Sequence, residues 1–200
     1  LEEDSNKFIN FRKFYLQMNK ILETTKQVVD NSRSVRINRN NAETFCRNLD
    51  LESLRTAAEG TLFDLPGHTE DERADFVFVI NSLNFCYWGE PKWAVDIDGR
   101  KMDGAMGMDS ALKNAIRTGF PILDAGYIST MPRSDLEKVL KGNTTIPLFE
   151  ERLRILHEIG SVLARKYDGH FMNAVRTAGW DASKLLELMT EDFPSYDDRS

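Results

Sequence analysis

The residues best suited to chemistry gather at two places in the chain. Asn84, Phe85, Tyr87 and Trp88 put one amide among three aromatic rings in a single short stretch. Aromatic faces clamp a planar ring, and an Asn side chain can read a ring edge because it offers both donors and an acceptor. The same composition also describes an aromatic plug of the core, and spacing leaves both readings open. Towards the end, Asp197 and Asp198 follow Phe193-Pro-Ser-Tyr196. Adjacent carboxylates after a proline make either a solvated turn or the edge of an acid–base site. His68, His157 and His170 are too dispersed to specify a metal site, so no metal is expected. His157 reads as a partly exposed or core-satisfied histidine, and Glu150 with Arg154 as a surface i, i+4 ion pair. A GxSxG elbow, a GxxxxGK[ST] loop, HExxH and GxGxxG are all missing from the sequence.

The elements that must position these residues are mostly helical. Phe8, Phe11, Tyr15, Met18 and Leu22 recur at spacings of three and four, predicting an amphipathic helix from Asn6 to Leu22. Asp30-Asn-Ser-Arg-Ser34 interrupts, and a shorter helix follows over about Asn41 to Asn48. Thr69-Glu-Asp-Glu72 is a capping box opening a buried helix that continues through Phe76 to Trp88, since no breaker intervenes before Gly89. Trp93, Val95 and Ile97 alternate with Ala94, Asp96 and Asp98, and Asp98-Gly99 is a hairpin-turn dipeptide, predicting one small hairpin. Asp109 or Ser110 caps a helix to Thr118, Ser134-Asp-Leu-Glu137 is a second capping box, and Pro147 sits in the first turn of a long helix. That helix carries its apolar stripe on Leu148, Leu153, Leu156, Ile159, Leu163 and Tyr167, and Asp181 caps a final helix to about Met189. No linker or repeat marks an internal boundary, so residues 1–200 are expected to form one mainly α domain with one small β-hairpin.

Composition narrows the partners. With 200 residues, 41% hydrophobic and 29% charged, the chain can bury a core. Its 32 acidic against 26 basic residues give a net charge of −6, which disfavours polymeric DNA or RNA while leaving room for one nucleotide. No apolar run reaches the roughly 18–20 residues that span a bilayer, so no membrane partner is expected. The acidic N-terminus lacks a secretory or transit signal, which points to a cytoplasmic protein. Cys46 and Cys86 have neither CxxC nor framework spacing and read as reduced, buried thiols. The chain begins with Leu, so upstream sequence is expected to have been removed.

The run Phe76-Val-Phe-Val-Ile-Asn-Ser-Leu-Asn-Phe-Cys-Tyr-Trp88 resembles the "VFV…LNFSFW" segment of the queuosine salvage family, the queuosine 5′-phosphate N-glycosylase/hydrolases. Asn31-Ser-Arg-Ser-Val-Arg-Ile37 is similar to "NSRDVFI", Gly119-Phe-Pro-Ile122 to "GIPI", Pro147-Leu-Phe-Glu-Glu-Arg-Leu-Arg-Ile-Leu156 to "PLVEERHRIL", and Phe193-Pro-Ser-Tyr-Asp-Asp198 to "FPSYRD". These segments fall in the family's order from Asn31 to Asp198, and together they are far more specific than any one of them. The resemblance implies a helical fold related to DNA glycosylases. It also implies metal- and cofactor-free hydrolysis of the N-glycosidic bond of queuosine 5′-monophosphate, releasing queuine for reuse in tRNA. Carried over by position, Asn84, Phe85 and Trp88 line the base pocket, with Tyr196 and Asp198 at its rim and Asp198 a candidate catalytic carboxylate.

Two departures stand out. Gly104-Ala-Met106 stands where the family has an aromatic "GYW", and the chain stops before the family's "KRAQ" and "ADYR" segments. The isolated chain is therefore expected to be a fragment with weak activity or none. A non-catalytic helical binding module on the same scaffold is the alternative. A DNA-repair glycosylase, suggested by fold analogy alone, is disfavoured by the acidic charge.

Overall fold

The computed structural model describes residues 23–34, 36–50 and 63–197, and the chain divides into two compact units, Leu1–Leu54 and Arg55–Ser200. In the first, residues 23–31 are helical and the helix stops at Ser32, within the polar break. Helix α1 (Arg39–Arg47) follows, with the Asn38 side chain accepting from the Asn41 N–H at 3.0 Å. None of its residues is buried, so Cys46 is exposed, against the expectation of a buried thiol. The helix places Ala42, Phe45 and Cys46 on one narrow apolar stripe, but that stripe is left uncovered and Phe45 is exposed with the thiol. The helix expected over Asn6 to Leu22 lies outside the described residues.

Among its described residues the second unit is mainly α, with one antiparallel hairpin. Its order is α2 (Glu70–Leu83), β1 (Ala94–Ile97), β2 (Arg100–Asp103), α3 (Gly104–Arg117), α4 (Ala125–Ile128), α5 (Arg133–Val139), α6 (Phe149–Lys166), α7 (Phe171–Thr177), α8 (Ala182–Asp192) and a 3-10 turn at Pro194–Tyr196. The long α6 packs on α2 and α4, and α2 also meets α7 and α3. Gly160 lets α6 approach closely, since a Cβ there would come within 2.6 Å of the Ser129 nitrogen and 2.7 Å of the Ala125 oxygen. Phe76, Ile80, Leu83, Leu112, Leu156 and Ile159 are all fully buried in this core. Each contributes roughly 1.5–3 kcal/mol of burial.

Several expected signals hold. The Thr69–Glu72 capping box forms reciprocally, with the Glu72 N–H donating to Thr69 Oγ1 at 3.2 Å and the Thr69 N–H to Glu72 Oε2 at 2.9 Å. Those bonds hold the Glu72 carboxyl below its ordinary pKa. Asp98 and Gly99 turn the hairpin with φ of 53° and 78°, the left-handed pair that a two-residue turn between twisted strands requires. Asp181 caps α8 through the N–H groups of Ser183 and Lys184. His157 is half-buried, its Nε2 at 2.8 Å from the Met131 carbonyl.

Other local readings are corrected by tertiary contacts. Helix α3 starts at Gly104, directly from the hairpin, so Asp109 is an interior position rather than a cap. Its buried carboxylate instead accepts from the Phe63 N–H at 3.0 Å and pairs with Lys113 at 2.8 Å. Helix α5 begins at Arg133 with no side-chain cap, because Glu137 pairs with Arg133 and the Ser134 box does not form. Arg154 reaches Glu151 and Glu158, while Glu150 pairs with Arg133, so the Glu150–Arg154 pair is absent. Pro147 lies ahead of α6, whose N-cap Leu148 is left-handed and exposed. The buried stripe of α6 accordingly runs through Phe149, Arg152, Ile155 and Leu156 rather than Leu148 and Leu153.

Candidate functional site

The largest departure from local expectation builds the site. Helix α2 ends at Leu83, and Asn84 to Trp88 are not helical. The terminator is Arg152, which is 0% exposed on α6. Its guanidinium donates to the carbonyls of Leu83, Phe85 and Cys86, the last at 2.8 Å, and its Nε–H to the Pro147 carbonyl at 3.2 Å. Hydrogen bonds to a charged group contribute about 1.5–3 kcal/mol each, enough to draw these carbonyls out of a helical ladder. Cys86 takes φ of 44°, a left-handed conformation unusual for a residue with a Cβ, and its side chain is half-buried. Burial pulls the Arg152 pKa below its ordinary value, yet a guanidinium remains a cation.

The loop so held lines a cavity of about 510 Å³ whose wall includes Asn84, Phe85, Tyr87, Trp88, Trp93 and Gly104. The guanidinium carbon of Arg152 lies 4.2 Å from the Phe85 ring centre and 5.3 Å from that of Tyr87, a cation–π arrangement beneath the loop. Tyr87 is stacked with Trp93, ring centres 6.1 Å apart and planes 17° from parallel. Trp93 is itself fixed by donating its Nε1–H to the Leu140 carbonyl at 3.1 Å. Burial pushes the Tyr87 hydroxyl up to about 12, so it stays protonated and donates to Asn84 Oδ1 at 2.9 Å. Trp88 is 84% exposed at the cavity's edge. Gly104, with φ of 55°, brings the start of α3 to the wall, while Met106 is exposed.

The expected residues thus separate. Asn84, Phe85 and Trp88 converge on one cavity. Tyr196 is held nearby but off the lining: its hydroxyl is 2.7 Å from Ser82 Oγ, two residues before Asn84, and its ring centre 5.8 Å from that of Phe78. Ser82 spends its own proton on the Phe78 carbonyl at 2.8 Å, so Tyr196 donates, and burial raises its pKa. The turn carrying Tyr196 is clamped by Glu158, which accepts from both the N–H and the hydroxyl of Ser195 at 2.8 Å. Asp197 follows this turn, and Asp198 lies outside the described residues. Arg152, Tyr87's hydroxyl and Trp93 are the residues that reading along the chain missed. The available signal was Arg152 itself, a charge set between Phe149 and Leu156 at core spacing on α6.

A second cavity of about 410 Å³ lies beside Asp75, Asp124 and His170. The buried Asp75 carboxylate accepts from the Phe171 N–H and meets His170 Nδ1, both at 2.7 Å. Among the described residues no three His, Cys, Asp or Glu side chains converge as a metal-ligand set, and no helix is long and apolar enough to cross a membrane.

A family described as queuosine salvage protein matches residues 65–200 of the chain. Among individual proteins, the chain is 34% identical to one from Sphaerobacter thermophilus over 181 residues, covering 89% of this chain and 55% of that protein. It is likewise 34% identical to one from Bos taurus, covering 88% and 54%, and 33% identical to one from Mus musculus, covering 89% and 55%. All three are named queuosine 5′-phosphate N-glycosylase/hydrolase. The chain spans about 55% of the length of these curated relatives.

Proposed function

This chain belongs to the queuosine salvage protein family, and from that premise we propose that it holds the base pocket of an N-glycosidase that hydrolyses queuosine 5′-monophosphate and releases queuine. The observation that carries the reading is the aromatic cavity at the end of α2, where an amide and two or more ring faces meet in a volume suited to one bicyclic base. Phe85 and Trp88 clamp the 7-deazaguanine ring, and Asn84 hydrogen-bonds its edge. The chemistry follows from the bond to be broken. As the N-glycosidic bond lengthens, positive charge builds on the ribose and negative charge on the departing base. A carboxylate near the anomeric carbon stabilises the first and takes a proton from the attacking water. Asp198, two residues on from Tyr196 in the sequence, is the candidate for that role. Supporting this are the Tyr196–Ser82 bond, which ties that turn to the helix that ends at the cavity, and the Glu158–Ser195 clamp, which ties it to α6, the helix that carries Arg152. The two free thiols fit a reducing, cytoplasmic setting.

The test is to incubate the chain with queuosine 5′-monophosphate and follow free queuine by chromatography with mass detection. Release above a no-protein control supports hydrolysis within these residues. Queuine binding without release assigns the pocket here and the catalytic step elsewhere in the protein. Neither binding nor release removes the proposal.

A further inference from the structure

The Asn84 amide is not symmetric in its surroundings. Its Oδ1 accepts from the Tyr87 hydroxyl at 2.9 Å, and its Nδ2 has no protein partner among the described residues. An unconstrained Asn can flip its amide and offer either a donor or an acceptor to a ligand. Here a flip would turn the Nδ2 group towards the Tyr87 oxygen and strip the hydroxyl proton of its acceptor. Tyr87 cannot swing to another acceptor, because its ring is stacked with Trp93 and lies over the Arg152 guanidinium. Arg152 in turn holds the Phe85 and Cys86 carbonyls between Asn84 and Tyr87, so the two ends of the hydrogen bond are fixed by one buried side chain.

We propose that the Tyr87 hydroxyl fixes the Asn84 amide with its NH2 group as the ring-reading end, making this cavity selective for a planar ring whose facing edge carries a carbonyl oxygen. Tyr87 is a positioning residue that acts through Asn84. The inference rests on the cavity being a base pocket, and it adds which edge chemistry the pocket accepts and which side chain enforces it. A ring presenting an amino group at that edge meets donor against donor and leaves both unpaired.

The experiment measures binding of two bases to the full chain by calorimetry: 7-deazaguanine and 2,6-diamino-7-deazapurine. They share shape and the 2-amino group and differ along one edge of the six-membered ring, which carries a carbonyl beside an N–H in the first and an amino group beside an unprotonated nitrogen in the second. The wild-type chain is expected to prefer 7-deazaguanine by about tenfold, the scale of one hydrogen bond's discrimination. Tyr87→Phe, which removes a single oxygen, should bring that ratio to within about twofold. Asn84→Asp, which replaces the donors with acceptors, should reverse it. A loss of pocket structure alone would weaken both bases together and leave the ratio unchanged, and an unchanged ratio in Tyr87→Phe overturns the inference. Equal binding of the two bases by the wild-type chain overturns it as well, while leaving the base pocket standing. If the wild-type chain binds neither base, the base-pocket reading falls first and takes this inference with it.

Discussion

Helix α2 meets a buried charge near each end, and the two charges do different things. Towards its N-terminus, Asp75 is 2% exposed and collects donors, the Phe171 N–H that opens α7 and the His170 imidazole. At its C-terminus, Arg152 is 0% exposed and collects acceptors, the carbonyls of Leu83, Phe85, Cys86 and Pro147. Each satisfies orphan groups of the sign that a helix end presents, N–H groups for the carboxylate and C=O groups for the guanidinium. The consequences diverge because of shape and protonation. A carboxylate pins one chain segment and titrates. A guanidinium spans several carbonyls, stays charged, and holds a non-helical loop in a form that lines a cavity.

Breaking the Arg152 end should produce the largest effect. Arg152→Met leaves its carbonyls unmatched in the core and is expected to cost about 3–5 kcal/mol, the scale for removing one partner of a buried charged cluster. Arg152→Lys should recover less than half of this, because one ammonium cannot span the carbonyls that a planar fork reaches. Urea unfolding of the three proteins measures both values. Full recovery by lysine would mean that charge alone, and not the fork, organises the loop.

Breaking the Asp75 end should cost less. Asp75→Ala leaves the Phe171 N–H unsatisfied and is expected to destabilise by roughly 1–3 kcal/mol in the same unfolding experiment. The two ends should also separate by pH. The hydrogen bond to Asp75 raises the His170 pKa above its ordinary 6.5, reinforced by Asp71 and Asp168. The folded state therefore keeps the proton longer than the unfolded one. The contribution is fully present below 6.5 and is lost as pH rises through the raised value. Burial raises Asp75 above its ordinary 3.8, which acts in the same direction at lower pH. Stability should fall as pH rises past neutrality, and His170→Asn should flatten that slope in a pH series of thermal melts. The Arg152 loop should show no such dependence across this range, followed through Trp88 fluorescence.

What could be read along the chain and what could not divides along the same line. The Thr69–Glu72 box, the Asp98–Gly99 turn and the Asp181 cap are made of neighbours, so their residues announce them. The end of α2 is decided by Arg152, separated from it by a hairpin and three helices, and nothing between Leu83 and Gly89 signals a stop. The same holds for Asp109 and Ser134, where a capping pattern exists locally but a distant or competing partner takes the carboxylate. Asn84, Phe85 and Trp88 were legible as a cluster because they are adjacent. The hydrogen bond that orients Asn84 was not, since it depends on where the loop is bent. Segment resemblance carried the family assignment, and all but one of the matching segments, Asn31 to Ile37, fall in the second unit.

The smallest stability effect belongs to the residue on which the function leans most. Trp88 is 84% exposed, so Trp88→Ala should change unfolding free energy by no more than about 0.5 kcal/mol. The most direct measurement is a calorimetric titration of queuine into the wild-type chain and into Trp88→Ala. Saturable binding by the wild-type chain and affinity weakened about tenfold in the variant, with unchanged melting temperature, is the predicted result, on the scale of one aromatic stacking contact. Equal affinity in the two proteins, or no binding to either, would contradict the assignment of the α2 cavity as the base pocket.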